Sequence, residues 1–446
     1  MDWPAFRAQV LQYHPEARQA DLFPARAAAA VLRAKGGFDP KAYTDFSSKN
    51  FNEKNYFRYT EAGVKWPLWL GIEIKGNYNL ATGDFLNPES KLPSGGQLAA
   101  GLNWTLGQGL FIDERRAALR QSRIGLEQAD AERASALNGL VFESAKAYWS
   151  WAIAGQQLRI FEEALRQAQI RHAGLLESLR QGDKPAIDTL ESFIQVQNRQ
   201  IDVTFARIDV QNAAIGLTNY LWTPENTPVR PESLPASPVF NEAETYPEIA
   251  VPDAESLLQN ARMQHPEIRQ YTVKQQLLAV ERRIKAENLK PVVNLNYQLL
   301  GNNWQFFSSP GAEGIGVLAN DIKWGIEFSF PLFNRKARGS LQETRLKIVQ
   351  TELGLQQKQL ELETKIRQYA NEMNTLVAQI GLYRQITANY RALLDAENEK
   401  FRFGESSVFL INTREQRWLD AQVKYLKLIS EYRKAEAGLK WAAGQW

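Results

Sequence analysis

Cysteine is missing altogether from this chain of 446 residues, which excludes disulfides, thiolate metal sites, a cysteine nucleophile and a lipid-modified N-terminal cysteine. Histidine is nearly missing. The three that exist, His14, His172 and His265, are not paired with carboxylates at metal-ligand spacing. Charge of one sign is lacking too: 53 basic side chains face 50 acidic ones, a net +3, so no long-range field draws in nucleic acid. No stretch approaches the ~20 apolar residues of a membrane-spanning helix, and any crossing would have to be a β-barrel. The N-terminal MDWPAFRAQV has no basic segment followed by an apolar run, so a secretory signal is either absent or already removed, and removal is the expectation.

Chemistry is equally hard to find. The glycines of GAEGIGVLAN lack the Gly-Lys-Ser/Thr of a phosphate loop and read as part of a hairpin loop. The acidic pairs Asp113-Glu114 and Glu162-Glu163 sit in stretches rich in Arg and Lys, where a solvated helix face is the default. No cofactor, no metal and no enzymatic activity are expected.

Proline is withheld from two long spans, one between Pro93 and Pro185 and one after Pro331, while seven prolines from Pro224 to Pro252 crowd a third. Because proline breaks helix interiors, the first two spans can be very long helices, and the third reads as a linker. The chain also repeats itself. His14-Pro15-Glu16 returns as His265-Pro266-Glu267 and Pro40 as Pro291, each 251 positions later; Leu110-Phe111 returns as Leu332-Phe333 and Gly182 as Gly404, each 222 positions later. This is a tandem duplication whose first copy carries 29 extra residues (251 less 222) between Pro40 and Leu110.

The first copy is expected to span 1–222: short helices over 4–35, a β region over 40–107, a long helix over 110–181 and a returning helix over 185–222. A Pro-rich equatorial linker over 223–252 follows. The second copy, 253–446, repeats the plan with helices over 253–289, a β region over 291–331, a long helix over 334–403 and a returning helix over 407–444. At 1.5 Å per residue the first long helix would reach about 108 Å if unbroken.

Seven-residue spacing runs through these helices. Ile187, Ile194, Ile201, Ile208 and Ile215 form one stripe, and Leu341, Ile348, Leu355 and Leu362 another. Sustained heptads predict supercoiled helices packed along their length. A second stripe, Val196, Val203, Val210 and Leu217, lies about 150° around the helix from the Ile stripe, and Leu346, Leu353 and Leu360 stand likewise to theirs. Apolar flanks on both sides suit a stave in the wall of a tube. A single stripe would suit a conventional bundle.

The β regions alternate apolar and polar residues with period two, as in GIEIKGNYNL and KWGIEFSFPL. Their aromatics, among them Trp66, Trp69, Trp104, Trp324 and Phe328, suit a lipid-facing band with interfacial girdles, although a soluble sandwich would read similarly. There are too few strands per copy to close alone, so oligomeric closure would remove the open edges. The extra residues either add a hairpin to the barrel or decorate its rim.

The duplication, HPEIRQ leading to a Pro-started strand, PLFNRKARGSLQETR at a strand-to-helix exit, and Gly turns followed by apolar helices together resemble the TolC-type outer-membrane efflux family. The resemblance covers nearly the whole chain. It implies an α+β membrane protein in which tandem-duplicated long coiled-coil helices form a trimeric α-helical barrel continuous with a shared transmembrane β-barrel. It also implies a homotrimer seated in outer-membrane lipid of a Gram-negative bacterium and reaching into the periplasm. Its partners would be a periplasmic adaptor (membrane fusion) protein and an inner-membrane pump, in a tripartite efflux or type I secretion system. Gly182 with Pro185, and Gly404 with Ser406 and Ser407, would form the periplasmic tip turns where an adaptor docks. The family's tip gate pairs an Asp six residues after the first Gly with Tyr and Arg flanking the second Gly and two acids beyond it. Asp188 matches, and would equally suit a helix N-terminal acid. Phe401, Ser406, Leu410 and Thr413 depart from the pattern, which predicts a more apolar constriction at Phe401 and Leu410. The competing reading, from a different class, is a soluble coiled-coil scaffold that binds partner helices along its stripes.

Overall fold

The computed structural model describes residues 1–238, 253–301 and 321–446. Two expected features lie partly outside the described residues: the later half of the Pro-rich linker, and all but Gly301 of the loop GNNWQFFSSPGAEGIGVLAN. In chain order the elements are α1 (Trp3–Tyr13), α2 (Pro15–Lys35), β1 (Lys41–Phe51), β2 (Lys54–Pro67), β3 (Ile72–Thr82), β4 (Gln97–Thr105), α3 (Glu114–Arg180), α4 (Ala186–Thr218), α5 (Ala254–Gln264), α6 (Pro266–Glu287), β5 (Val292–Leu300), β6 (Ile322–Ser329), α7 (Arg335–Arg402) and α8 (Val408–Ala442).

Some boundaries shift from those expected, each for a local reason. The helix α3 starts at Glu114 and not at Leu110, because Asp113 caps it: its carboxylate accepts the backbone N–H of Arg116 at 2.8 Å. The buried Arg116 guanidinium then donates to the carbonyls of Leu110 and Phe111 at 2.9 and 3.2 Å, which holds those residues in a turn. Helix α4 stops at Thr218, where the chain turns back and Trp222 bridges Pro228. The helices expected over 4–35 and over 253–289 meet at the His-Pro-Glu motif of each copy.

That motif works the same way in both copies. The ring Nδ1 of His14 accepts the N–H of Glu16 at 3.2 Å, and Nδ1 of His265 accepts that of Glu267, also at 3.2 Å. Proline at the first helical position needs no partner for a missing N–H, and the imidazole satisfies the next donor. Accepting that bond requires an unprotonated Nδ1. Burial lowers the pKa of both rings below their usual 6.5, more than neighbouring acids and carbonyls raise it. With the folded pKa below the unfolded one, the stabilisation is complete above about pH 6.5 and is lost as pH falls through the lowered value. The melting temperature should therefore drop between pH 7 and pH 5. His265→Asn, which retains a capping oxygen but cannot titrate, should flatten that slope in thermal scans; an unchanged slope would refute the assignment.

The chain divides into two compact units. One comprises Met1–Phe23, Asp130–Gln270 and Gln356–Trp446. Its buried side chains include Ile366, Met373, Tyr425, Ile429 and Leu439 in one cluster, and Phe6, Tyr148, Trp151 and Leu217 in another. These are heptad positions of the long helices with the aromatics that plug their gaps, and each large side chain so buried contributes roughly 1.5–3 kcal/mol. The other unit, Pro24–Ala129 and Tyr271–Leu355, holds the six strands found among the described residues.

These strands form one antiparallel sheet in the order β1-β2-β3-β4-β5-β6. The first hairpin turns through Asn52 and Glu53 with φ of 50° and 59°, the paired positive φ of a two-residue turn whose twist matches its strands. Among the described residues, β1 and β6 have no strand partner on their outer edges. No described helix is long and apolar enough to cross a membrane.

Candidate functional site

Two regions carry the features that the sequence singled out. The first is the sheet, whose register sorts its side chains by polarity. Ala62 pairs with Tyr78, Val64 with Gly76 and Trp66 with Ile74; Ile74 pairs with Leu102, Leu102 with Tyr297, and Tyr297 with Trp324. Since directly opposed residues share a face, one face is predominantly apolar or aromatic from the Ala62–Trp66 half of β2 through β6, and Phe46 joins it from β1. It is exposed: Phe46 on β1 is 64% accessible, Trp324 and Ile326 on β6 are 64% and 65%.

The opposite face is polar and internally bonded. Lys75 Nζ lies 2.7 Å from Glu61 Oε1, which also accepts from the Tyr43 hydroxyl at 2.5 Å. Asn77 donates to Asn79 at 2.9 Å, and Asn294 to Glu327 at 3.3 Å. A greasy face against a wetted one, over strands of eight to 14 residues, is the pattern of a wall with lipid on one side and a water-filled lumen on the other.

The second region holds the two Gly-marked turns. Gly182 and Gly404 adopt φ of 81° and 78°, a conformation that costs glycine little. Each closes its long helix with paired bonds. The N–H groups of Gly182 and Asp183 donate to Leu179 and Ser178 at 3.0 and 2.9 Å, and those of Gly404 and Glu405 to Phe401 and Lys400 at 3.1 and 2.9 Å. The returning helices start differently. Ser407 caps α8 by accepting the Leu410 N–H, whereas Pro185 stands at the cap of α4 without a side-chain bond, and Asp188 falls in the first turn.

Around these turns the expected gate residues have the following surroundings within the chain. Phe401 is half-buried with Lys184 Nζ 4.6 Å from its ring centre. Leu410 is exposed, and the Thr413 hydroxyl is spent on the Phe409 carbonyl of its own helix. Ser406 instead donates to Glu397 at 2.5 Å, and Arg414 stands 3.6 Å from the same carboxylate. The Ser406 bond, then Arg414, hold the Glu397 carboxyl below its usual range despite some burial.

Deeper in, Arg171 of α3 grips α8, meeting Glu415 at 2.9 and 3.1 Å and Asn412 at 2.9 Å. The Glu415 side chain is 4% accessible and that of Arg171 16%. The fully buried Arg199 of α4 pairs with Asp202 at 2.8 Å and also bonds Gln416. Sequence reasoning missed the links from Arg171 to Glu415 and Asn412 and from Arg199 to Gln416, because partners more than 200 positions apart leave no local signal.

The helices also bear bare seams. On α4, Val203 and Leu217 are buried, while Ile187, Ile194, Ile201, Ile208 and Ile215 are exposed. On α7, Leu362 and Leu376 are buried, and Leu346, Leu353 and Leu360 are exposed. One stripe of each pair is thus packed within the chain and the other is left uncovered by it.

A two-copy chain of long helices and a sheet with one lipid-like face has the makings of an outer-membrane channel. The sequence matches the family described as outer membrane efflux protein over residues 63–221 and 257–445, and the chain belongs to that family, a family of the Gram-negative outer membrane. Comparison with curated protein sequences gave no match. Among solved structures, the Campylobacter jejuni CmeC outer membrane channel superposes with TM-score 0.66 at 13% identity, covering 99% of this chain and 85% of that one. The open state of the Neisseria gonorrhoeae MtrE outer membrane channel gives 0.68 at 13%, covering 99% and 88%. The outer membrane protein VceC of Vibrio cholerae gives 0.66 at 14%, covering 99% and 95%. Likeness at this level of identity concerns the fold.

Proposed function

We propose that the chain is the outer-membrane exit duct of a tripartite efflux or type I secretion system. Three copies form a passive channel-tunnel that does no chemistry and opens when a periplasmic adaptor docks at the tip turns around Gly182, Pro185, Gly404, Ser406 and Ser407. An inner-membrane pump supplies the energy. The observation that carries this reading is the six-stranded sheet with one apolar, exposed face and one hydrogen-bonded polar face. The bare seams on α4 and α7 support it, since each needs a neighbour and the described residues supply none. A soluble scaffold would expose the same seams but has no use for an exposed apolar sheet. Fractionation of cells should find the protein in the outer membrane as a trimer that resists SDS at low temperature. A monomer that stays soluble without detergent would instead establish the scaffold.

Phe401 and Leu410, together with Asp188 and Thr413, stand at the closed tip. We expect Phe401→Ala combined with Leu410→Ala to raise single-channel conductance in planar bilayers several-fold. Unchanged conductance would remove these two residues from the constriction.

A further inference from the structure

The extra residues of the first copy are where this chain departs from its own internal plan: among the described residues, copy one contributes four strands and copy two contributes two. We infer that the additional hairpin is part of the membrane wall, so that β1 of each copy pairs with β6 of the next and three copies close a barrel of about 18 strands. This rests on the trimeric reading above and deepens it.

Four observations carry the inference. The hairpin is not an appendage: β1 pairs with β2 from Lys41↔Lys65 to Phe51↔Lys54, and β2 continues into β3 from Arg58↔Thr82 to Pro67↔Glu73. Over the half nearest the β2–β3 turn its residues obey the sheet's division of faces, which Ser48 and Arg58 break further along. Phe46, Val64 and Trp66 join the apolar side and are exposed there, whereas Tyr43, Glu61 and Lys65 lie on the polar side with the Lys75 ion pair. A rim decoration bathed in water would have no reason to keep that alternation. Strands of 11 and 14 residues are also long enough to span the ~9–11 residues of a tilted transmembrane strand.

The fourth observation concerns the edges. Six strands are too few to close alone, and an edge facing lipid leaves unpaired N–H and C=O groups where no water can reach them. The sheet is an even-numbered meander, so β6 runs antiparallel to β1, and joining β6 of one copy to β1 of another continues the antiparallel ladder around a ring without a break. An odd number per chain would force a parallel junction at each seam. A second and third copy of this chain therefore fit both edges, and three six-stranded sheets fall in the size range where a closed barrel encloses an aqueous channel rather than packed side chains.

Because the chain has no cysteine, single cysteines can report directly. Asn52→Cys places a thiol at the tip of the β1–β2 turn, and Phe46→Cys places one on the apolar face of β1. On intact cells a membrane-impermeant maleimide should label the first and leave the second at least tenfold slower. Cysteine pairs on β1 and β6, Thr44→Cys or Phe46→Cys with Trp324→Cys or Ile326→Cys, should oxidise to covalent dimers and trimers on SDS gels. If Asn52→Cys labels but Phe46→Cys labels equally fast and no β1–β6 pair crosslinks, the hairpin sits on the rim and the inference is overturned while the outer-membrane reading stands. If neither thiol is reached on intact cells and no trimer is recovered, both fall together.

Discussion

Replacing Glu415 with alanine is expected to destabilise the helical part of the protein by about 3–5 kcal/mol, at the lower end of that range if Asn412 still holds the guanidinium. The carboxylate is nearly inaccessible and takes two charge-assisted bonds from Arg171 at 2.9 and 3.1 Å. Its removal leaves a largely buried cation with one neutral partner, Asn412 Oδ1 at 2.9 Å, and an orphaned charge costs more to keep than the intact pair contributes. Glu415→Gln, which retains an acceptor, should be milder. Replacing both members by apolar residues, Arg171→Met with Glu415→Leu, should recover most of the loss, because the desolvation penalty leaves with the charges. Chemical unfolding of the detergent-solubilised protein would measure the three variants, and adding Arg171→Met and Glu415→Leu singly would close a double-mutant cycle. A cost below about 1 kcal/mol for Glu415→Ala, the usual range for exposed pairs, would mean that the α3–α8 contact is incidental. Since the pair ties the two copies together near the tip turns, the same substitution should lengthen channel open times in bilayers.

A second large effect should appear at Leu102, midway along β4 and between Ile74 and Tyr297 on the apolar face. Leu102→Arg should cost about 2–4 kcal/mol, the penalty for a cation near the bilayer midplane. Asn103→Arg, one residue on and therefore on the polar face, should leave stability nearly unchanged and shift ion selectivity toward anions. The contrast separates the two functional readings. In a water-soluble scaffold, Leu102→Arg would replace an exposed apolar side chain with a solvated one and change little. Urea unfolding of the two variants in lipid vesicles, alongside reversal potentials, would decide between them.

Several features are legible in the amino-acid order alone. The split of each helical segment at His-Pro-Glu follows from proline chemistry, whereas the capping by the imidazoles of His14 and His265 shows only in the structure. Seven-residue spacing locates the long helices to within a few residues, and two-residue alternation locates the strands. The turns at Gly182 and Gly404 need only a glycine where a long apolar period ends. Arg171–Glu415 is out of reach, because its geometry depends on which faces of α3 and α8 meet.

The amino-acid sequence by itself determined the duplication, the element types and the polarity of every face, since these follow from local periods and from where proline and glycine are tolerated. Only the tertiary structure decided which stripe of each helix is covered, which charges meet across copies, and that β1 and β2 continue the same sheet as β3 to β6. Those outcomes depend on register between segments far apart in the chain. A one-residue slip there would exchange the faces of a strand, and no local propensity records it.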